Sequence, residues 1–517
     1  MKKSENIIEL IKSLSQSEKR YFKLFAGHNK SNSHYLKLFD LFEKTGTANE
    51  QVIRKKYKNE KLSQQQFWVY KHRLYTLILK SLGAFHAGKS IDSELRELIE
   101  QAEVLYNKSL YSAAKKALIK AKKLACKHEM FILLLEVIRW EKKIAKSLYY
   151  DSYNNEDINH IYEEEIRIAT ITKNTNVYWK LFSNMFKLYS LKGFPKSRQE
   201  IDIYDALINN PLFKTEELAL SFEAKRLFYH THTLFCMVTE KLTEAYYYSK
   251  KLIGLLEAYP EKIEMDTEAY SSALYNSMFF ARDLKEYEGF FNTLYKIKNF
   301  ILNRSSEMDK SKRLYSLWFF YSAASAGYID TGQFKKGMLL IPGIEKIIKN
   351  QKLENSIKLI LLFNICVIYH GVGEYKKALS YINLILNDDK HFSSEMLIYK
   401  IFRFILHYEL GNIDLFPYLF KPVYNELLKK EKPYKTEELL IDFIKVKIKK
   451  IKNKTQERRA FKTLRNKLVE ICIDPFEAKL LRNNFDYISW LESKIENRPL
   501  EDILREKSGY VPKESEG

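Results

Sequence analysis

Residues 362–385 read LFNICVIYHGVGEYKKALSYINLI, and this stretch decides the fold. Apolar side chains at three- and four-residue steps up to Tyr369 mark one face of a helix. Gly373 breaks that helix. Tyr375, Ala378, Ile382 and Ile385 then follow it at offsets of two, five, nine and twelve, which restarts the helical period. The pattern has a physical reading. A turn joins two antiparallel helices, and an apolar residue just after it plugs the corner. A small residue five positions on lets the second helix approach the first, and the later apolar residues face the core.

The same offsets recur along the chain. From Ser109 they give Tyr111, Ala114, Leu118 and Ala121. From Glu240 they give Leu242, Ala245, Ser249 and Leu252, and from Lys285 they give Tyr287, Phe290, Leu294 and Ile297. Gly332 gives Phe334, Gly337, Ile341 and Ile344, while Gly411 gives Ile413, Phe416, Phe420 and Val423. Phe290 and Phe416 replace the small residue, so looser packing is expected there. Pro342 falls inside an expected second helix and should kink it. Helical periodicity also governs the first 90 residues. Ser15-Gln16-Ser17-Glu18 has the form of a capping box, and Phe67, Tyr70, Leu74, Leu77, Ile78 and Leu82 line a later helix.

These hairpins resemble the tetratricopeptide repeat, a helix–turn–helix unit of 34 residues. Turns from 240 to 411 are spaced by 45, 47, 41 and 38 residues, so the helices or loops are longer than in the standard unit. The whole chain, from its Ser15–Phe25 start to its Phe485–Glu492 end, is similar to a group of long bacterial TPR-like proteins. The resemblance implies an all-α fold, a right-handed α-solenoid of antiparallel helix pairs with an N-terminal helical cap. The expected layout is a basic N-terminal helical segment (1–90), TPR-like repeats (91–430), a C-terminal basic helix with capping helices (431–507) and a flexible tail (508–517). It further implies a peptide-binding row at Asn184, Asn276 and Asn364, each nine residues before a turn residue (Gly193, Lys285, Gly373). There an amide can both donate to and accept from a peptide backbone.

Composition narrows the function. Of 517 residues only 16 are glycine, poor for a large α/β enzyme with phosphate turns. No HExxH or GxSxG motif and no tuned carboxylate pair names a reaction, so the reading is non-catalytic, with no cofactor. Neither the four cysteines nor the His230-Thr231-His232 and Cys126/His128 pairs have metal-ligand spacing. Cys126, Cys236, Cys366 and Cys472 each sit among apolar residues and read as buried free thiols of a reducing compartment. Lys2-Lys3 is followed by a stretch broken by Glu9 and Lys12, which is no signal-peptide core. The most apolar run, Leu359 to Tyr369, is far short of the ~20 residues a membrane span needs. A cytoplasmic protein follows as the expectation.

Net charge is +21, and residues 1–90 (net +11) and 421–467 (net +10) hold nearly all the excess. Lys445 to Lys467 contains eleven Lys/Arg and one acid, Glu457. Its apolar side would bury Ile448, Ile451, Phe461, Leu464 and Leu468, leaving Lys449, Lys450, Lys452, Lys454, Arg458, Arg459, Lys462 and Arg465 largely in water to meet phosphates. Arg54-Lys55-Lys56 and Lys71-His72-Arg73 add cations near the N-terminus. The bland alternative is a solvated, solubilising surface. Gly83 to Ser90 satisfies GxxxxGK[ST], in which Gly83, Gly88, Lys89 and Ser90 would cradle a nucleotide. That motif needs a strand before it, yet Phe67 to Leu82 is a helical face, so an interhelix turn with Gly88 as a stop is the preferred reading. The leading expectation is a scaffold or adaptor binding a protein or peptide on the concave face of the solenoid. A nucleic-acid- or ribosome-associated protein is the alternative, and a nucleotide-binding enzyme is the third reading.

Overall fold

A computed structural model describes residues 5–27, 33–45, 53, 64–88, 90–151, 154–195, 198–303, 310–350, 353–387, 396–428, 434–447, 453–474, 477 and 485–511. The fold is all-α, and no strand occurs among the described residues. Consecutive helices pack on one another as helical hairpins, as in an α-solenoid: Ile91–Asn107 on Tyr111–Lys127, Thr267–Asp283 on Tyr287–Asn303, Asn355–Gly371 on Tyr375–Leu386. The chain forms two compact units. The first holds residues 1–179 with 219–224, and the second holds 180–218 with 225–517. Within each, the core is a string of clusters rather than one centre, as expected where a repeat buries its face against its neighbours.

In the first unit Ser15 and Glu18 form the expected box: the Glu18 N–H donates to Ser15 Oγ at 3.3 Å and the Ser15 N–H to Glu18 Oε2 at 2.7 Å. Gln16–Gly27, Ser33–Thr45 and Gln64–His86 then close over Phe22, Phe39, Leu74 and Ile78. A second cluster joins Leu95, Ala114, Leu118, Val137 and Ile144.

The turns carry the repeat. Ser109, Glu240, Lys285, Gly332, Gly373 and Gly411 all lie in the left-handed region, with φ between 60° and 80°. In each, the N–H of the following residue donates to the carbonyl five residues before it: Leu110 to Leu105, Lys241 to Cys236, Glu286 to Ala281, Gln333 to Tyr328, Glu374 to Tyr369 and Asn412 to His407, all at 2.7–2.9 Å. This is the Schellman closure of a helix C-terminus. In the first five, the carbonyl of that same following residue then accepts the first bond of the next helix, from the N–H at offset five. The reversal is thus built from two residues, one left-handed and one shared between helices. Offset five is buried in all six hairpins, by Ala114, Ala245, Phe290, Gly337, Ala378 and Phe416.

Three expectations are corrected. Packing at Phe290 and Phe416 is not looser, since each is 1 % exposed. The room for Phe290 comes from the neighbouring helix, where a Cβ on Gly327 would stand 2.2 Å from the ring. Phe334 is accommodated likewise by Gly371, at 2.3 Å. Pro342 does not kink a helix but divides it: Phe334–Met338 ends, and Ile341–Ile348 begins with the proline in its first turn, where a missing N–H costs nothing. Cys126 is exposed and Cys472 half-buried, while Cys236 and Cys366 are buried. An apolar sequence neighbour does not put a side chain on the inward face of a helix. Of the expected tail, Tyr510 stacks on Phe291 with centroids 4.8 Å apart, and residues 512–517 lie outside the described residues.

A side chain in the left-handed region costs about 1 kcal/mol relative to glycine. Glu240→Gly and Lys285→Gly should therefore each raise the urea midpoint, by a stability gain of about 1 kcal/mol, and Gly373→Ala should lower it by a similar amount. Equal shifts in one direction for all three would refute the turn assignment.

Candidate functional site

Asn184, Asn276 and Asn364 all belong to the second unit, and each precedes a left-handed residue by nine (Gly193 φ 68°, Lys285 φ 60°, Gly373 φ 80°). Asn184 is exposed; Asn276 and Asn364 are half-buried. Asn276 lies on Thr267–Asp283 and Asn364 on Asn355–Gly371, and the Lys310–Asp330 helix packs against both. Neither amide is engaged by a described residue. At the same register the intervening helix carries Ala323, half-buried, whereas Thr231 and Phe402 are fully buried. The structure thus brings Asn276, Ala323 and Asn364 onto three successive first helices and bounds the row with Thr231 and Phe402. Asn184 lies beyond the buried Thr231.

The basic stretch divides. Ile448, Lys449, Lys450, Ile451 and Lys452 lie outside the described residues. Lys454, Arg458, Arg459 and Lys462 stand in water on the Lys454–Ile471 helix, which buries Phe461, Leu464 and Leu468. Arg465 is turned inward instead, its Nε and Nη2 donating to Glu492 Oε1 at 2.9 and 2.8 Å. It lies on the flank of the helix, where a carboxylate from the C-terminal helix reaches it. Of the N-terminal cations, Arg54, Lys55 and Lys56 lie outside the described residues, Lys71 is buried, and His72 and Arg73 are exposed.

Gly83 lies within the Gln64–His86 helix, so its backbone N–H is not presented by a phosphate-wrapping loop. Gly88 has φ 70°, and Lys89 lies outside the described residues. Ser90 is the N-cap of Ile91–Asn107, its hydroxyl accepting from the Ser93 N–H at 3.1 Å. That is the work of a helix start. His230 and His232 lie on one helix. The His230 ring lies tilted against Phe182, with centroids 4.6 Å apart, and its pKa is pushed down to about 4 by burial, which keeps it neutral. Among the described residues no group of three or more His, Cys, Asp or Glu could hold a metal ion, and no described helix is long and apolar enough to cross a membrane.

The structure adds a feature that sequence reasoning missed. Residues 485–511 run back along the edge formed by the left-handed turns. Phe485 packs against His370 and Phe402 at 5.2 and 4.9 Å. Trp490 Nε1 and Lys494 Nζ donate to Glu409, two residues before Gly411, at 2.7 and 2.6 Å. The Glu501 carbonyl oxygen would stand only 2.5 Å from a Cβ on Gly332, and Tyr510 reaches Tyr287 and Phe291. A cavity of about 310 Å³ remains between this segment and the turns at Lys285 and Gly332. Ile329, Phe334 and Leu504 give it an apolar lining, and at its rim Arg282 grips Asp330 by two bonds of 2.5 and 3.1 Å. This geometry suits holding a segment in place, with the Arg282 and Asp330 charges matched to each other. Its partners are 81 and 85 residues apart in sequence, and no local period links them.

Glu409 is the keystone of this edge. Its burial disfavours charge, but His370 at 3.7 Å and the Lys494 ammonium outweigh that and hold its carboxyl near about 2. Burial keeps His370 itself neutral at pH 7, so Lys494 and the Trp490 N–H carry the effect there.

No family model matches the chain, and no curated protein matches it. Among solved structures, the apo form of RapI is similar, with a TM-score of 0.42 and 12% identity over 78% of this chain and 99% of RapI. A likeness of this size says nothing about ligand or partner.

Because the Glu409 carboxyl is depressed in the fold, its stabilisation is complete above the ordinary carboxylate value and is lost as pH falls toward about 2. Hydrogen exchange of 485–511 should therefore quicken between about pH 4.5 and 2. Glu409→Gln should quicken it already at pH 7, by a loss of about 2 kcal/mol, and remove that part of the pH step. Unchanged exchange in the variant would refute the role.

Proposed function

We propose that the chain is a non-catalytic protein-interaction scaffold or adaptor, taking an extended peptide or protein segment along the first helices of its second unit. One observation carries the reading: Asn276 and Asn364 repeat at one register of their hairpins, half-buried and unengaged by any described residue. An asparagine offers two donors and an acceptor oxygen, the complement of a peptide group. Half-burial fixes its rotamer beforehand, so less entropy is lost on binding. Ala323 between them leaves space for the bound chain rather than a bulky side chain. The hairpins gain their stability from their neighbours, which leaves this row free for recognition. The partner is a protein or peptide, and the reading needs no cofactor.

The test is affinity capture from the native cell with nuclease present, comparing the natural chain with Asn276→Ala/Asn364→Ala and with the triple variant that adds Asn184→Ala. Proteins enriched by the natural chain should fall at least tenfold in the double variant, with helicity and unfolding midpoint unchanged. An identical set of captured proteins would overturn the assignment.

A further inference from the structure

The exposed face of the Lys454–Ile471 helix carries a second kind of recognition. Lys454, Arg458, Arg459, Lys462 and Lys467 are all exposed and form no ion pair with a described residue. The acid inside this stretch is withdrawn: Glu457 is half-buried and accepts the Tyr408 hydroxyl. Arg465, the remaining cation of the helix interior, is spent on Glu492. Glu457 and Arg465 are thus both turned toward the core, so that from Lys454 to Lys467 the exposed charges are all cations, with the exposed Glu470 following in the last turn. Phe461, Leu464 and Leu468 pin the opposite side at 0–4 % exposure, so the face is held on a fixed helix rather than on a loose tail.

We propose that this face binds the phosphodiester backbone of a nucleic acid strand. From Lys454 to Lys467 the helix rises about 20 Å at 1.5 Å per residue, and its five exposed cations divide that rise into four steps averaging about 5 Å. One strand of a duplex presents a phosphate per about 3.4 Å of axis, a spacing of the same order. Lys454, Arg458 and Lys462 form one row at four-residue steps of about 6 Å, so these three charges lie along a line rather than in a spot, with Arg459 and Lys467 further round the helix. A line suits a strand better than a single phosphoryl group. What the face offers is positive charge aimed at phosphate oxygens, so the binding is independent of sequence and driven by counterion release.

The experiment uses the full chain and a fluorescein-labelled 20-nucleotide RNA, with anisotropy read between 50 and 200 mM salt. Five phosphate contacts on a single strand predict a log–log slope of about −3.5, or a loss of about 100-fold across that range. The variant Lys454→Gln/Arg458→Gln/Arg459→Gln/Lys462→Gln/Lys467→Gln should flatten the slope by about that amount, with unchanged circular dichroism. The charge-keeping variant Lys454→Arg/Arg458→Lys/Arg459→Lys/Lys462→Arg/Lys467→Arg should retain it, which separates lost charge from lost fold. No binding at 50 mM salt overturns the proposal, and so does equal binding by the glutamine variant. Poly-glutamate or phosphatidylserine vesicles that compete as well as unlabelled RNA also overturn it, since the face would then read negative charge alone.

Discussion

Everything in this molecule depends on a residue in the left-handed region, used again and again at the same place. A helix ends with carbonyls that have no partner. Here the residue after the left-handed one donates to the carbonyl five residues before it. In most of the hairpins its own carbonyl then opens the next helix. One short corner therefore satisfies the end of one helix, starts another and fixes the angle between them. The solution does not demand glycine. Ser109, Glu240 and Lys285 accept φ of 60°, a cost of about 1 kcal/mol each, because the two bonds at each corner leave no better conformation. Once the corner is fixed, the offsets of five, nine and twelve are buried, Phe420 excepted, which is half-buried.

The corner fixes direction, and close approach between neighbours fixes distance. In the Ala114 and Ala378 hairpins the small residue sits where the sequence places it. At Phe290 the arrangement is inverted, with the large ring on one helix and Gly327 facing it on the next. Phe334 and Gly371 repeat the exchange. Large and small residues thus trade places between facing helices, which is the behaviour expected of close-packed interiors. This explains how repeats of unequal length can bring their helices into close contact at these points.

The sequence made the local half of this legible. The turn residues, the buried offsets and the Ser15 box are all short-range patterns, and short-range periodicity reports directly on the inward face of a helix. What it hid is long-range. Nothing near Phe290 marks Gly327, 37 residues away, as its partner. Nothing near Glu409 marks Trp490 and Lys494. Arg465 read as solvated because a helical wheel shows its flank and not the Glu492 carboxylate beside it. The Asn row was legible as a register, while its limits at Thr231 and Phe402 needed the burial of those residues. Gly83 to Ser90 matched a phosphate motif in letters only, since helix Gln64–His86 already uses Gly83 and a cap uses Ser90.

Two surfaces follow from this scaffold, an uncharged amide row on the first helices and a basic helix held by its apolar side. Both take their geometry from the hairpins, so the turns remain the claim on which the account stands. Site-resolved amide hydrogen exchange tests it most directly, at Leu110, Lys241, Glu286, Gln333, Glu374 and Asn412. The account predicts that these six N–H groups exchange slowly, as bonded helix amides do, although each lies in a segment joining two helices. Exchange at the rates of open loops would contradict it.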